Sequence, residues 1–230
     1  IRLVGSMLTD IALKENIKFN KKFIFLCLNR LPHIFRISLM TYLKNLKLLE
    51  NDITDWSWIT PASENAKKIQ TLQPVKKYIQ INNKDLINDY LSIINSKKLS
   101  FYEQDVDWFD KINDFEQSKH LEFDSYNDSY INIVTETRFE YIDYNIHITE
   151  KSFKPFYFFQ LPIFLAQYQH VKKMREEYEF YFFDDLINHS YDDEKDDVKR
   201  FHMVVNEIQR LANMREEISM YYKNNIDKII

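Results

Sequence analysis

A chain of 230 residues is long enough for one large domain with a proper core, or for two small ones. Its 45% apolar and 29% charged residues are ordinary for a soluble globular protein, and a formal charge of -4 gives no bias toward polyanions, which argues against a nucleic-acid partner. The single cysteine, Cys27, excludes an internal disulfide framework and fits a reducing, cytoplasmic compartment.

The N-terminal stretch IRLVGSMLTD has no initiator methionine, so residues 1–20 read as a fragment or remnant ahead of the domain at 21–230. Gly5 is the one glycine, where average usage of about 7% would give roughly sixteen. Phosphate loops of the GxGxxG or Walker type are therefore excluded, and turns and caps must rely on Asn, Asp and Ser.

Lys22 to Leu28, KFIFLCL, predicts a strand buried on both faces, as in a parallel sheet, with Cys27 as a small apolar core residue. Pro32 offers a helix start, and Phe35, Leu39, Leu43 and Leu46 give that helix a buried stripe. Asp52 to Thr60 reads as a second strand. The polar segment 61–128 reads as helices and loops elaborating the sheet, with helical patterns at Asp85–Asn95 and Asp105–Phe115. A central strand is predicted at Tyr130–Thr135 and a helix opening at Thr149-Glu150-Lys151. A strand at Leu161–Ala166, a helix at Val171–Glu177 and a strand at Glu179–Phe183 follow. A long amphipathic helix from Asp192 to about Asn224 closes the chain, with Phe201, Val205, Ile208, Ala212 and Ile218 on one side. Alternating strands and helices imply an α/β fold: a Rossmann-like, mainly parallel sheet flanked by helices. The longest apolar-rich run, Pro155–Ala166, is too short to span a membrane.

Ligands of open α/β sheets bind outside the carboxyl edge of the strands. Arg36, in the first turn of the first helix, would lie there and suits a diphosphate through its bidentate fork; the plain alternative is a surface arginine. Glu136 ends the central strand. Glu150 reads equally as a ribose ligand or as a dipole-complementing carboxylate after the Thr149 cap. Lys151 has the wrong charge for a helix start, which favours an anionic ligand. The six histidines (33, 120, 147, 170, 189 and 202) show no metal-ligand spacing, and no nucleophile motif is present, so no metal site is expected. The acidic cluster Asp184-Asp185 and Asp192–Asp197 reads as a solvated loop and helix start.

These residues carry a resemblance. The pattern Asn29-Arg30-x-Pro-x-x-x-Arg36 after a strand, then a strand ending at Glu136 and Thr149-Glu150-Lys151-x-Phe-x-Pro, resembles nucleotide-sugar glycosyltransferases. These are related to the α-1,3-fucosyltransferases and to similar proteins of bacteria and large DNA viruses or phages. The resemblance implies a GT-B fold, of which this chain looks like the C-terminal, donor-binding half. It implies no cofactor beyond a nucleoside-diphosphate sugar co-substrate, GDP-linked by likeness to the family. Asn29, Arg30, Arg36, Glu136, Thr149, Glu150 and Lys151 would bind the donor. Arg36 and Lys151 would stabilise the departing diphosphate during inverting transfer to a glycan or other hydroxyl acceptor. The acceptor half would come from a separate domain or subunit, or from the polar middle third. The chain departs from the family at Thr137, where an asparagine is usual. Phe158-Phe159 and Ala166-Gln167-Tyr168 stand where the family has small residues. The rival expectation is a non-catalytic descendant that kept the fold as a structural or binding module.

Overall fold

A computed structural model describes residues 17–29, 32–50, 52–58, 76–80, 82–96, 123–141 and 145–229. Residues 1–16, most of the segment 61–128 and the helical pattern at Asp105–Phe115 lie outside the described residues. Four parallel strands form one sheet in the order β2-β1-β3-β4: β1 Phe23–Asn29, β2 Thr54–Trp58, β3 Ser129–Thr135 and β4 Leu161–Leu165. Phe25 lies opposite both Thr54 of β2 and Ile131 of β3, and Ile133 lies opposite Ile163 of β4. The three strands read from the sequence at 22–28, 130–135 and 161–166 are thus neighbours.

The strands are apolar runs because both faces of the sheet are covered. Phe25 and Cys27 of β1 join the larger core, whereas Leu26 joins a smaller cluster with Tyr126 and Phe158. Helix α1, Ile34–Asn45, follows β1 and buries Phe35, Ile37, Leu39, Met40 and Leu43. Its Met40 sulfur lies 3.9 Å from the Cys27 sulfur. Burial raises the Cys27 thiol to about 12, so it stays protonated and inert. Helix α2, Lys84–Ile94, is capped by the Asn83 side chain and packs on α1. Short helix α3, Phe123–Asn127, leads into β3.

After β3, the predicted helix at Glu150 is a 3₁₀ turn, Glu150–Ser152, continued by the four-residue α4, Lys154–Tyr157. The peptide dipoles that would have summed along a longer helix are largely missing there. Helix α5, His170–Tyr178, follows β4. Asp192 caps it from a distance, its carboxylate accepting from Val171 N and Lys172 N at 2.9 Å each. Asp192 is 5% exposed, a correction to the solvated acidic loop expected from the sequence. Burial raises its carboxyl despite those two amides.

The expected strand at Glu179–Phe183 does not form, because the outer edge of β4 is already occupied by side chains. Phe164 N donates to Tyr191 Oη (3.0 Å), His189 Nε2 lies 3.3 Å from the Pro162 carbonyl, and Arg200 Nε donates to the Ala166 carbonyl (3.2 Å). Pro162 itself has no N–H to offer a further strand. Residues 179–183 instead pack by their rings, with Phe180 stacked on Phe156 at 4.1 Å. The single long C-terminal helix is also corrected to two, α6 Asp197–Ala212 and α7 Arg215–Asn224, followed by a last short turn, α8 Ile226–Ile229. At the break, Asn213 turns its side-chain amide onto the Gln209 carbonyl, the competition with backbone that makes asparagine a helix terminator. The apolar stripe survives the break: Phe201, Val205, Ile208 and Ile218 are all buried.

The lack of glycine leaves a trace in the backbone. Lys47, Asp52, Phe159, Gln169, Glu179 and Phe183 all take positive φ, near +54° to +60°. An L-residue there costs about 1–2 kcal/mol. Lys47 closes α1 in a Schellman turn, with Leu48 N donating to Leu43 O and Lys47 N to Lys44 O, both at 2.8 Å. Lys47 is exposed. Lys47→Gly is therefore expected to raise stability by about 0.5–1 kcal/mol, the left-handed cost less the entropy of a new glycine. Urea unfolding measures this, and a loss of stability would contradict the strain assigned to Lys47.

Candidate functional site at the carboxyl edge

The strand order places a topological switch point between β1 and β3. From β1 the chain crosses to β2 on one side, and from β3 to β4 on the other. Crevices of this kind receive ligands in open α/β sheets. The two motifs singled out in the sequence converge here. Arg36 Nη2 donates to the carbonyls of Thr135 and Glu136, both at 2.8 Å, although 99 and 100 residues separate the partners. Thr135 Oγ1 donates to Asn29 Oδ1 at 2.8 Å, tying the ends of β1 and β3.

Arg36 is 3% exposed and lies within 5.7 Å of the Phe35 ring centroid. It ties α1 to the end of β3, so it is neither the surface arginine nor the open diphosphate ligand that the sequence offered as alternatives. Asn29 is equally enclosed: its side-chain N–H faces the sulfurs of Cys27 (3.2 Å) and Met40 (3.5 Å). Asn29 is itself 1% exposed, and both sulfurs it faces belong to fully buried side chains. Arg30 lies outside the described residues.

Glu136 is fully buried and its carboxylate collects four donors. Oε1 accepts from Thr149 N (3.0 Å) and Ser152 Oγ (2.6 Å); Oε2 accepts from Thr137 N (3.0 Å) and Thr149 Oγ1 (2.7 Å). The carboxylate thus holds the 149–152 turn against the end of β3, where the sequence reading had it meeting a donor. Burial pushes its carboxyl up, but Ser152, the neighbouring His170 and both Thr149 donors together hold it below the ordinary range. Thr149 also caps the turn, accepting from Lys151 N at 3.4 Å.

The turn presents Glu150 and Lys151 outward, 29% and 33% exposed and paired at 3.2 Å. His33, at the extended residue before α1, is half-buried and its side chain makes no capping bond. Its basicity is lowered by burial first and then by the positive charges of Arg36 and Lys151, so these three groups share one electrostatic neighbourhood. Through Thr149 and Ser152, the turn that carries Glu150 and Lys151 is bonded directly to Glu136 at the end of β3.

Sequence reasoning missed several residues here. Ser152 and His170 complete the Glu136 network, Ser152 Oγ lying 2.8 Å from His170 Nε2. Gln167 is buried and joins the loops after β3 and β4, accepting from His147 N at 2.8 Å and donating to Glu140 O at 3.4 Å. Arg200 is 1% exposed and donates to the carbonyls of Ala166, Glu194 and Phe139 and to Asp197. Ser152 and Gln167 lay beside noted motif residues; no sequence signal marked Arg200. Phe158 stacks on Tyr126 at 4.2 Å within the smaller core cluster, so its bulk is accommodated in the interior.

Two cavities lie elsewhere. One of about 410 Å³ lies between α5 and the 184–193 loop, lined by Arg175, Asp184, His189 and Asp192 among others; one of about 450 Å³ is bordered by Lys76, Tyr78, Gln80 and His202. Among the described residues, no group of three or more His, Cys, Asp or Glu side chains is placed to hold a metal, and no helix is long and apolar enough to cross a membrane. No protein-family model, curated protein or solved structure matches the chain.

The buried network makes stability depend on pH. Burial lowers His170 to about 4, against an ordinary value of 6.5. Between these values the unfolded chain binds a proton that the folded chain does not, so stability falls as pH drops from about 6.5 toward 4. The depressed Glu136 extends the loss below about 4.3, where unfolded glutamate protonates first. Denaturant melts across pH 3–8 should show this limb, and His170→Gln should flatten its upper part. An unchanged profile in His170→Gln would assign the limb to other groups.

Proposed function

We propose that the chain binds a nucleoside-diphosphate sugar in the β1/β3 crevice and acts as the donor-binding half of a glycosyltransferase. The observation that carries this reading is the meeting of the 29–36 and 136–151 motifs at the switch point of a parallel sheet, joined through Arg36. GDP-sugars are the first candidates, on the resemblance to fucosyltransferases.

In this reading Lys151 contacts the diphosphate directly. Arg36, held against the Thr135 and Glu136 carbonyls, contributes positive potential from below. Glu150 exchanges its partner Lys151 for ribose hydroxyls when the nucleotide enters. An acceptor hydroxyl, deprotonated by a carboxylate base from the acceptor domain, attacks the anomeric carbon as the bond to the diphosphate oxygen breaks. The cationic side chains stabilise the charge developing on that leaving group.

A specific observation favours the second reading, a non-catalytic module of the same ancestry. Arg36, Asn29 and Glu136 are all buried and engaged with protein groups, so the surface offered to a ligand is mainly that of Glu150, Lys151 and His33. Such a site can bind a nucleotide without turning over its sugar.

Calorimetric titration with GDP, UDP, CMP and inorganic pyrophosphate tests the site. Binding of a nucleoside diphosphate is expected, with a raised melting temperature by mass action. Lys151→Ala should weaken it by about 1.5–3 kcal/mol, the worth of a hydrogen bond to a charged group. Glu150→Ala should weaken nucleotides more than pyrophosphate. Folded protein that binds none of these at millimolar concentration would remove the donor-site reading. Binding without turnover of any GDP-sugar, with an acceptor domain supplied, would select the non-catalytic module.

A further inference from the structure

The hydrogen bonds around Glu136 form one chain through three loops of the carboxyl edge. His170, at the start of α5, lies 2.8 Å from Ser152 Oγ; Ser152 Oγ donates to Glu136 Oε1 at 2.6 Å; Glu136 Oε2 accepts from Thr149 Oγ1 at 2.7 Å; and Thr149 Oγ1 accepts from Lys151 N. A carboxylate can only accept, so the Ser152 proton points at Glu136. Ser152 Oγ then accepts from His170, which fixes Nε2 as the protonated nitrogen. Among the described residues His170 Nδ1 has no hydrogen-bond partner, and the ring is fully buried. A buried ring nitrogen without a partner costs free energy that a purely apolar side chain would avoid. The ring nevertheless sits here, with one hydrogen bond, and that bond feeds the turn carrying Lys151.

We propose that His170 is a positioning residue for the 149–152 turn, acting through Ser152 and Glu136 to hold Lys151 where the crevice needs it. The functional part of this assignment rests on the diphosphate reading of the crevice. Ser152 has two possible uses for its proton, and His170 Nε2–H leaves it one. With its oxygen occupied, Ser152 can only donate to Glu136, and Glu136 in turn keeps its second oxygen for Thr149. Removing the Nε2 donor frees the hydroxyl to rotate and loosens the carboxylate from the turn. The ligand end of the chain would feel this although His170 touches no ligand.

Three substitutions separate positioning from simple packing. Gln places its amide nitrogen where Nε2 of histidine lies, Asn places it at the Nδ1 position, and Phe keeps the ring without a donor. Hydrogen exchange of the Thr149 and Lys151 amides reports the turn without any ligand, and inorganic pyrophosphate affinity reports its use. In His170→Phe and His170→Asn, exchange at Thr149 should accelerate about tenfold, as expected for local opening after one lost hydrogen bond. Pyrophosphate should bind about tenfold more weakly. His170→Gln should restore both toward wild type. Unchanged Thr149 exchange in His170→Phe, or equal effects in all three variants, would overturn the proposal. If His170→Phe does not fold, Asn against Gln decides the same question. Wild-type protein that binds no pyrophosphate would remove the diphosphate reading, while the exchange data would still decide whether His170 holds the turn.

Discussion

Arg36 and Arg200 bring two buried guanidinium groups to the carbonyls that end β3 and β4. Glu136 does the complementary task, offering a buried carboxylate to backbone and hydroxyl donors of the following turn. Parallel strands leave loose carbonyls and amides where the chain exits the sheet, and buried polar groups must find partners. Among the described residues there is no glycine with which to fold a loop tightly back on the sheet. Long charged side chains make the connection instead. The 149–152 turn that carries Lys151 is held to β3 in this way, through Glu136.

It is a demanding solution. A buried charge is costly unless fully hydrogen-bonded, and breaking one partner away is more damaging than never having the pair. Arg200 meets the demand with four carbonyls and Asp197, and with the Phe139 ring 4.6 Å beneath it. Glu136 meets it with four donors. The result is a carboxyl edge whose buried charges are all engaged by several partners each.

The same logic governs the sheet edge. Tyr191, His189 and Arg200 occupy the outward backbone groups of β4, and Pro162 lacks the N–H that a fifth strand would use. These contacts leave fewer backbone groups on this edge free to pair with another strand. It also explains why an aromatic segment of good strand composition, Glu179–Phe183, packs by its rings. Strand propensity describes the fit of side chains to a pleated surface, and here no backbone partner was left.

What could be read from the sequence were the features carried by local pattern. The apolar runs of β1, β3 and β4, the stripe of Phe35, Leu39 and Leu43, and the helical spacing of Phe201, Val205 and Ile208 all translate directly, because burial on a strand or helix face imposes a period. The strand-end position of Glu136 and the Thr149 cap before Glu150-Lys151 were legible from local pattern too. The roles of Arg36, Asn29, Glu136, His170 and Arg200 were decided by tertiary structure. A guanidinium or carboxylate at a strand end can meet a ligand or a carbonyl with equal chemistry. Which it meets depends on loops that are distant in sequence, such as Ser152 and His170 for Glu136, or Phe139 and Ala166 for Arg200. Local periodicity contains no information about those encounters, since they arise only when the sheet has assembled and the cost of burying an unpaired charge selects its partners.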